Sequence, residues 1–181
     1  DNRIITALPE HKYRDSYRML RTRVLQTMRN NGWTSIAVTG PATGCGKTLT
    51  AINLAISLAM EVTHTVLLVD LDLRRPSIHK YFGDEPELGL SDYLQGDIPL
   101  HKLLFCPSVE RLVVLPGRNA VVNSAEMLRS PRMVALVNEL KTDPLISQVM
   151  VHGDKRKFIS ALITLNEEAA LKWATDNGVS A

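Results

Sequence analysis

Ser35-Ile36-Ala37-Val38-Thr39, short, apolar and β-branched, runs directly into a glycine- and proline-bearing stretch, Gly40 to Gly46, and then into Lys47 to Met60, which carries apolar residues almost all round. A continuously apolar strand must be covered on both faces, and a helix apolar on every side must lie between a sheet and its neighbours. Thr65 to Val69 repeats the continuous apolar run. Strand, helix and strand within about 35 residues make a βαβ unit with a right-handed crossover. Its parallel strands place the chain in the α/β class.

A length of 181 residues supports one complete core but not two comfortable ones, which favours a single domain. Hydrophobic residues at 45% and charged residues at 22% exclude a disordered chain. A net charge of +2 gives no reason to expect nucleic acid or an anionic membrane as a general partner. Cys45 and Cys106 are too few for a disulfide framework and lack metal-ligand spacing, which suits a reducing cytosol. The longest mostly apolar stretch, Ala51 to Met60, is interrupted by Asn53 and Ser57 and is shorter than the roughly 18 residues of a spanning helix. The chain opens at Asp1 without a methionine or a signal-peptide pattern, as expected of a fragment.

Around the βαβ unit, Tyr13, Tyr17, Leu20, Val24 and Met28 recur at spacings of three and four, predicting an amphipathic helix from about Pro9 to Arg29 that Asn31-Gly32 stops. Leu90 to Gln95 and Leu100 to Leu104 read as short helices, Arg111 to Leu115 as a third strand, and Pro131 to Lys141 as a helix opened by proline. After Thr142 the pattern changes. Gln148 to His152 and Phe158 to Leu165 read as the strands of an antiparallel hairpin joined by Gly153-Asp154-Lys155-Arg156-Lys157, and Asn166 to Asn177 as a helix ended by Gly178.

Gly44-Cys45-Gly46-Lys47-Thr48, set between a strand and a helix, is the phosphate-binding-loop arrangement. Glycines let the backbone curl until successive N–H groups face phosphate oxygens, and the positive end of the helix dipole adds to that field. The expected nucleotide-binding residues are Thr43, Gly44, Cys45, Gly46, Lys47, Thr48 and Leu49, with Lys47 bridging the β- and γ-phosphates and Thr48 ligating Mg²⁺. The consensus also asks for glycine five residues before Gly46, where Pro41 stands. An ordinary glycine-rich turn is the bland alternative, and the strand and helix on either side weigh against it. The fold class expected is therefore a P-loop NTPase-like three-layer α/β fold with a parallel sheet, cut short, over residues 1–142, followed by a β-hairpin plus helix over residues 143–181.

Asp70-Leu71-Asp72-Leu73-Arg74-Arg75-Pro76 stands at the carboxyl end of the second buried strand, the edge where open α/β sheets bind ligands. Two carboxylates there are expected to hold Mg²⁺ through water, Asp72 foremost, and to orient a nucleophile or accept its proton, for which Asp70 is the candidate. Arg74 would answer phosphate charge or pair with the acids. A helix-entry turn with a solvated salt bridge is the structural alternative.

Taken together, Val38 to Thr48, Ala51-Ile52-Asn53-Leu54-Ala55, Val66 to Pro76 and Ser124 to Met133 resemble the bacterial tyrosine kinases, the autokinases that control capsule and exopolysaccharide polymerisation and export. That family often lacks the first loop glycine, so Pro41 fits it. The resemblance implies ATP and Mg²⁺ as cofactors, Lys47, Asp70, Asp72 and Arg74 as catalytic residues, and Thr48 and Asp72 at the metal. It also implies self-association through a Glu-x-x-Arg-x-x-Arg helix motif, matched by Asp15, Arg18 and Arg21 with aspartate for glutamate. For those three residues a solvated basic helix face is the stronger reading. The other implied partner is a transmembrane polysaccharide co-polymerase, with the kinase cytoplasmic and peripheral at the inner membrane.

Two family features are missing after Lys141: an apolar strand ending in a metal-contacting Asp, and a tyrosine-rich C-terminal tail. The tyrosines are Tyr13, Tyr17, Tyr81 and Tyr93. In that place Asp143 to Leu165 is similar to the C-terminal lobe of AMP-forming long-chain acyl-CoA ligases, which implies a chimera joined near Asn138 to Thr142, a divergent kinase tail being the competing view. Three functions are then in play. The first is transfer of the ATP γ-phosphoryl to tyrosine. The second is an ATPase switch of the partitioning or septum-positioning type, which wants lysine where Ala42 stands. The third is a chimeric fragment that only binds nucleotide, while an adenylating enzyme is remote because its core is absent.

Overall fold

Side-chain alternation along one strand sets the layering. In β2 (Thr65–Val69), Leu67 and Val69 face one core and Val66 and Leu68 the other, and all four are buried. The first core gathers Leu90, Leu94, Leu103, Leu115, Leu136 and Leu140; the second gathers Leu25, Ile52, Leu54, Ile56, Leu112 and Val114. A sheet apolar on both faces between two helical layers is the three-layer α/β arrangement. The computed structural model describes residues 4, 12–33, 35–42, 44–60, 65–142 and 160–165, the last two of helix α6 and strand 160–165 by backbone alone.

Helix α1 (Arg14–Asn31) precedes β1 (Ser35–Val38) and ends where Gly32 takes a left-handed φ of 65°, with Trp33 donating its N–H to the Met28 carbonyl. Leu25 and Met28 bury its inner side. Helix α2 (Lys47–Ala59) is buried from Ala51 onward, as its all-round apolar pattern predicts, and buried Asn53 donates Nδ2–H to the Leu49 carbonyl at 2.9 Å. After β2 come α3 (Ile78–Phe82), α4 (Leu90–Gln95), a short 3-10 turn (Leu100–Lys102), β3 (Leu112–Leu115), α5 (Ser124–Met127) and α6 (Pro131–Thr142). Arg132 of α6 ties that helix to α4. Its guanidinium bonds to the carbonyls of Tyr93 and Gly96, pairs with Asp97, and lies 5.7 Å from the Tyr93 ring centroid.

The sheet order is β1-β4-β2-β3, where β4 is Ser160–Leu165. β3 runs parallel to β2, but β4 runs antiparallel to both β1 and β2. The sheet is therefore mixed rather than purely parallel. The slot between β1 and β2 exposes backbone donors and acceptors on both sides, and a strand of either direction can satisfy them. The second strand of the expected hairpin thus pairs inside the main sheet. Its expected partner over 148–152 and the expected helix over 166–177 lie outside the described residues.

Candidate functional site

Ala37 of β1 and Val69 of β2 both pair with Ala161, and Val69 also pairs with Leu115 of β3. The chain after each of these three strands therefore leaves the sheet at one edge. The loop after β1 and the acidic segment after β2 are two strand spacings apart, about 10 Å.

Gly44 and Gly46 hold φ of 77° and 88°, the left-handed region that L side chains seldom adopt. A Cβ at either would meet nothing within 4 Å, so backbone conformation rather than crowding demands glycine there. Gly40 is crowded instead: its Cβ would stand 2.5 Å from Cys45 Sγ. The loop curls over its own start and delivers the chain into α2, whose first turn carries N–H groups with no intrahelical acceptor. Lys47 donates from Nζ to the Ala42 carbonyl at 2.8 Å, with Cys45 Sγ 3.7 Å away. A backbone hydrogen bond from Ala42 lowers the Cys45 thiol pKa most, and the Lys47 charge adds to it against partial desolvation. Thr48 and Leu49 follow on the first turn, half-buried. Thr43 lies outside the described residues.

These residues fit a polyphosphate carrying a divalent cation. Two left-handed glycines open on empty space, a helix amino terminus supplies directed N–H groups, and the ammonium rests on a neutral carbonyl that an anion would outcompete. Thr48 supplies a hard oxygen donor suited to Mg²⁺.

The acidic segment is wound around Asp70. Its side chain is buried, at 2% exposure, and accepts three backbone N–H groups: Oδ2 from Ser77 at 2.9 Å and Ile78 at 3.1 Å, Oδ1 from Asp72 at 3.2 Å. Burial pushes its pKa up to about 6, against the three hydrogen bonds, which pull it down. Asp72 is half-exposed and its Oδ1 accepts the Arg75 N–H at 3.1 Å. Arg74 donates from Nε to the hydroxyl of buried Ser124 at 3.1 Å, which ties the acidic segment to α5.

The third loop at this edge, after β3, has no counterpart among the sequence-derived candidates. Gly117 packs over the acidic segment, where a Cβ would stand 2.6 Å from Pro76 Cβ and 3.4 Å from Asp70 Cγ. Arg118 adopts a left-handed φ of 60° and pairs with Asp92 Oδ1 at 2.9 Å. The Pro116 carbonyl accepts the first N–H of α4, from Leu90, at 2.7 Å. The available signal was Pro116-Gly117 directly after an apolar strand, a turn at the ligand edge.

Asp15, Arg18 and Arg21 do not form a common set. Asp15 and Arg18 pair with each other at 3.4 Å on the exposed face of α1, while Arg21 donates Nη1–H to the Ser57 carbonyl of α2 at 2.9 Å. Arg21 thus fastens α1 to α2. Among the described residues no cluster of His, Cys, Asp and Glu gathers as a metal site, and no helix is long and apolar enough to cross a membrane.

Comparison with known proteins agrees with this geometry. The family model described as the CobQ/CobB/MinD/ParA nucleotide binding domain matches residues 36–172, a span that continues past Thr142. Tyrosine-protein kinase ptk of Acinetobacter johnsonii is 33% identical over 129 residues, covering 70% of this chain and 17% of that protein. Tyrosine-protein kinase YwqD of Bacillus subtilis is 31% identical over 138 residues, covering 76% of this chain and 58% of that protein. The BceF tyrosine kinase domain superposes with a TM-score of 0.65 at 29% identity over 77% of this chain and 57% of that one. The chain thus spans less than two thirds of the curated relatives it matches. Its phosphate loop, its layered sheet and these likenesses make it a member of the CobQ/CobB/MinD/ParA nucleotide-binding domain family, similar within it to bacterial tyrosine kinases.

Proposed function

We propose that the chain is the nucleotide-binding part of a protein tyrosine autokinase acting in exopolysaccharide or capsule biosynthesis and export. The observation that carries this reading is the loop from Gly40 to Gly46, with left-handed Gly44 and Gly46 opening into α2 beside Lys47. ATP with Mg²⁺, when bound, supplies the γ-phosphoryl group and the charge the site must neutralise. The amides of Gly44 to Thr48 and the Lys47 ammonium would hold the phosphates, and Thr48 and Asp72 the metal. A tyrosine hydroxyl is a weak nucleophile at neutral pH, so the protein's share of the chemistry is mostly positioning and charge stabilisation, to which Arg74 contributes from its place on Ser124. By the same resemblance, the partners are further copies of the chain and a transmembrane polysaccharide co-polymerase, and the setting is cytoplasmic at the inner membrane.

A second reading, nucleotide binding without efficient transfer, is favoured by one observation. β4 meets the site with its amino end, because Ser160 pairs with Val38, and its carboxyl end, Leu165, pairs with Thr65 at the far edge. An acid at the carboxyl end of that strand would not reach the phosphates.

ATP binding before and after Lys47→Met tests both readings. A charge-assisted contact with phosphate is worth roughly 1.5–3 kcal/mol, so affinity should fall about 10- to 150-fold. Unchanged affinity removes both. Transfer of phosphate to tyrosine by the unaltered chain then separates the first reading from the second.

A further inference from the structure

We infer that Asp70 is a positioning residue, holding the turn that carries Asp72 and Arg74 at the sheet edge shared with the phosphate loop, and not the group that accepts the tyrosine proton. The inference rests on the nucleotide-binding reading above and assigns one of its acids. A proton acceptor needs a lone pair turned toward its substrate. A carboxylate offers about four such sites, and Asp70 gives three of them to the N–H groups of Asp72, Ser77 and Ile78. Gly117 lies over the carboxylate, and the side chain is 2% exposed. The acid therefore faces its own chain.

What it organises is specific. The three bonds close the segment from Asp70 to Ile78 into one turn around a single carboxylate. Second ties hold that turn from outside: the Leu73 carbonyl accepts the Val121 N–H at 2.7 Å, and Arg74 reaches Ser124. Asp72 and Arg74 project from the turn, half-exposed and exposed, on the side-chain positions that leave the core. Their placement depends on Asp70 without Asp70 touching a ligand.

The test compares Asp70→Asn, Asp72→Asn and Gly117→Ala by amide hydrogen exchange and by affinity for a fluorescent ADP analogue with and without Mg²⁺. Asparagine keeps the shape of Asp70 but offers one acceptor oxygen and turns an N–H₂ toward backbone donors. Asp70→Asn should speed exchange at Ser77 and Ile78 at least tenfold and leave Mg²⁺-free affinity within twofold. It should reduce the Mg²⁺ enhancement to the level of Asp72→Asn, and the double variant should be no worse than Asp72→Asn alone. Gly117→Ala, which keeps the acid but pushes on Pro76, should lose part of the same enhancement. Wild-type exchange at Ser77 and Ile78 in Asp70→Asn overturns the inference. So does full Mg²⁺ enhancement in Asp70→Asn together with lost phosphoryl transfer, the signature of a reacting group. If the unaltered chain binds no nucleotide, the proposed function fails, and the exchange rates still decide whether Asp70 holds the turn.

Discussion

Gly46→Ala and Gly32→Ala form a matched pair that separates backbone strain from ligand chemistry. Both glycines are left-handed, at φ of 88° and 65°, and a Cβ at either meets nothing within 4 Å. The cost of alanine is therefore the backbone term alone, about 1–2 kcal/mol, offset by about 0.4–1 kcal/mol from the stiffer unfolded chain. Gly32→Ala should lose about 1 kcal/mol in urea unfolding and about 2–4 °C in Tm, and Gly46→Ala no more than that. Nucleotide affinity should part them. Gly32 ends α1, away from the site, and its variant should bind within twofold of wild type. At position 46 any strain that the empty loop sheds must be restored on binding, so whatever is missing from the stability loss reappears as lost affinity. The penalty cannot exceed the strain released, which bounds the loss at about 5- to 30-fold. Equal stability together with equal affinity of Gly46→Ala and wild type would refute the left-handed loop. An equal loss of affinity in both variants would refute the assignment of Gly46 to the site.

Protonation of Asp70 predicts a pH dependence of stability. Burial raises its pKa from 3.8 to about 6, so the folded chain binds that proton more tightly than the unfolded chain does. The resulting stabilisation is complete below about pH 4 and is lost as pH rises through about 6, a change of about 3 kcal/mol. The unfolding free energy of wild type minus that of Asp70→Asn should fall by most of this amount, about 2.4 kcal/mol, between pH 4 and 7, and a flat difference refutes it. Among the tyrosines, Tyr93 is 8% exposed, its hydroxyl donates to Glu139 Oε2 at 2.9 Å, and burial with that carboxylate pushes its pKa to about 12. Tyr13 is 50% exposed. Incubation with an active tyrosine kinase domain and ATP should place phosphate on Tyr13 and none on Tyr93 by mass-spectrometric mapping; labelled Tyr93 refutes the burial argument.

The βαβ unit and the loop were legible because their signals are local. Thr65–Val69 and Leu90–Gln95 fall where the residue pattern puts them, and α2 and α6 differ from it by one residue at an end. Helix α3 was not legible. Five residues show no periodicity, and its first N–H groups are satisfied by Asp70, seven and eight positions earlier. The same contact hid the orientation of Asp70: sequence marks a carboxylate at the right strand end, while its direction is set by Ser77, Ile78 and the overlying Gly117. Arg21 matched a motif by spacing, yet the Ser57 carbonyl decides where its guanidinium goes. Spacing places a side chain on a helix face, but tertiary neighbours choose its partner.

The strand 160–165 carries the same lesson into function. An apolar run identifies a strand but not its neighbours or its direction, since the pleat repeats every two residues in either sense. Here direction matters chemically. β1, β2 and β3 bring their carboxyl ends to the site, and β4 brings its amino end. Of the two carboxylates in the acidic segment, Asp70 is committed to backbone amides, so under the proposed function Asp72 and the Thr48 hydroxyl would be the protein's ligands for a metal. Mg²⁺ tolerates so few, because it keeps several waters and takes the rest of its shell from phosphate oxygens. Under the same proposal, phosphate binding would draw instead on the loop amides and Lys47. Weakening the metal contact should therefore cost transfer more than binding, and Asp72→Asn should retain most Mg²⁺-free nucleotide affinity while losing its enhancement by Mg²⁺.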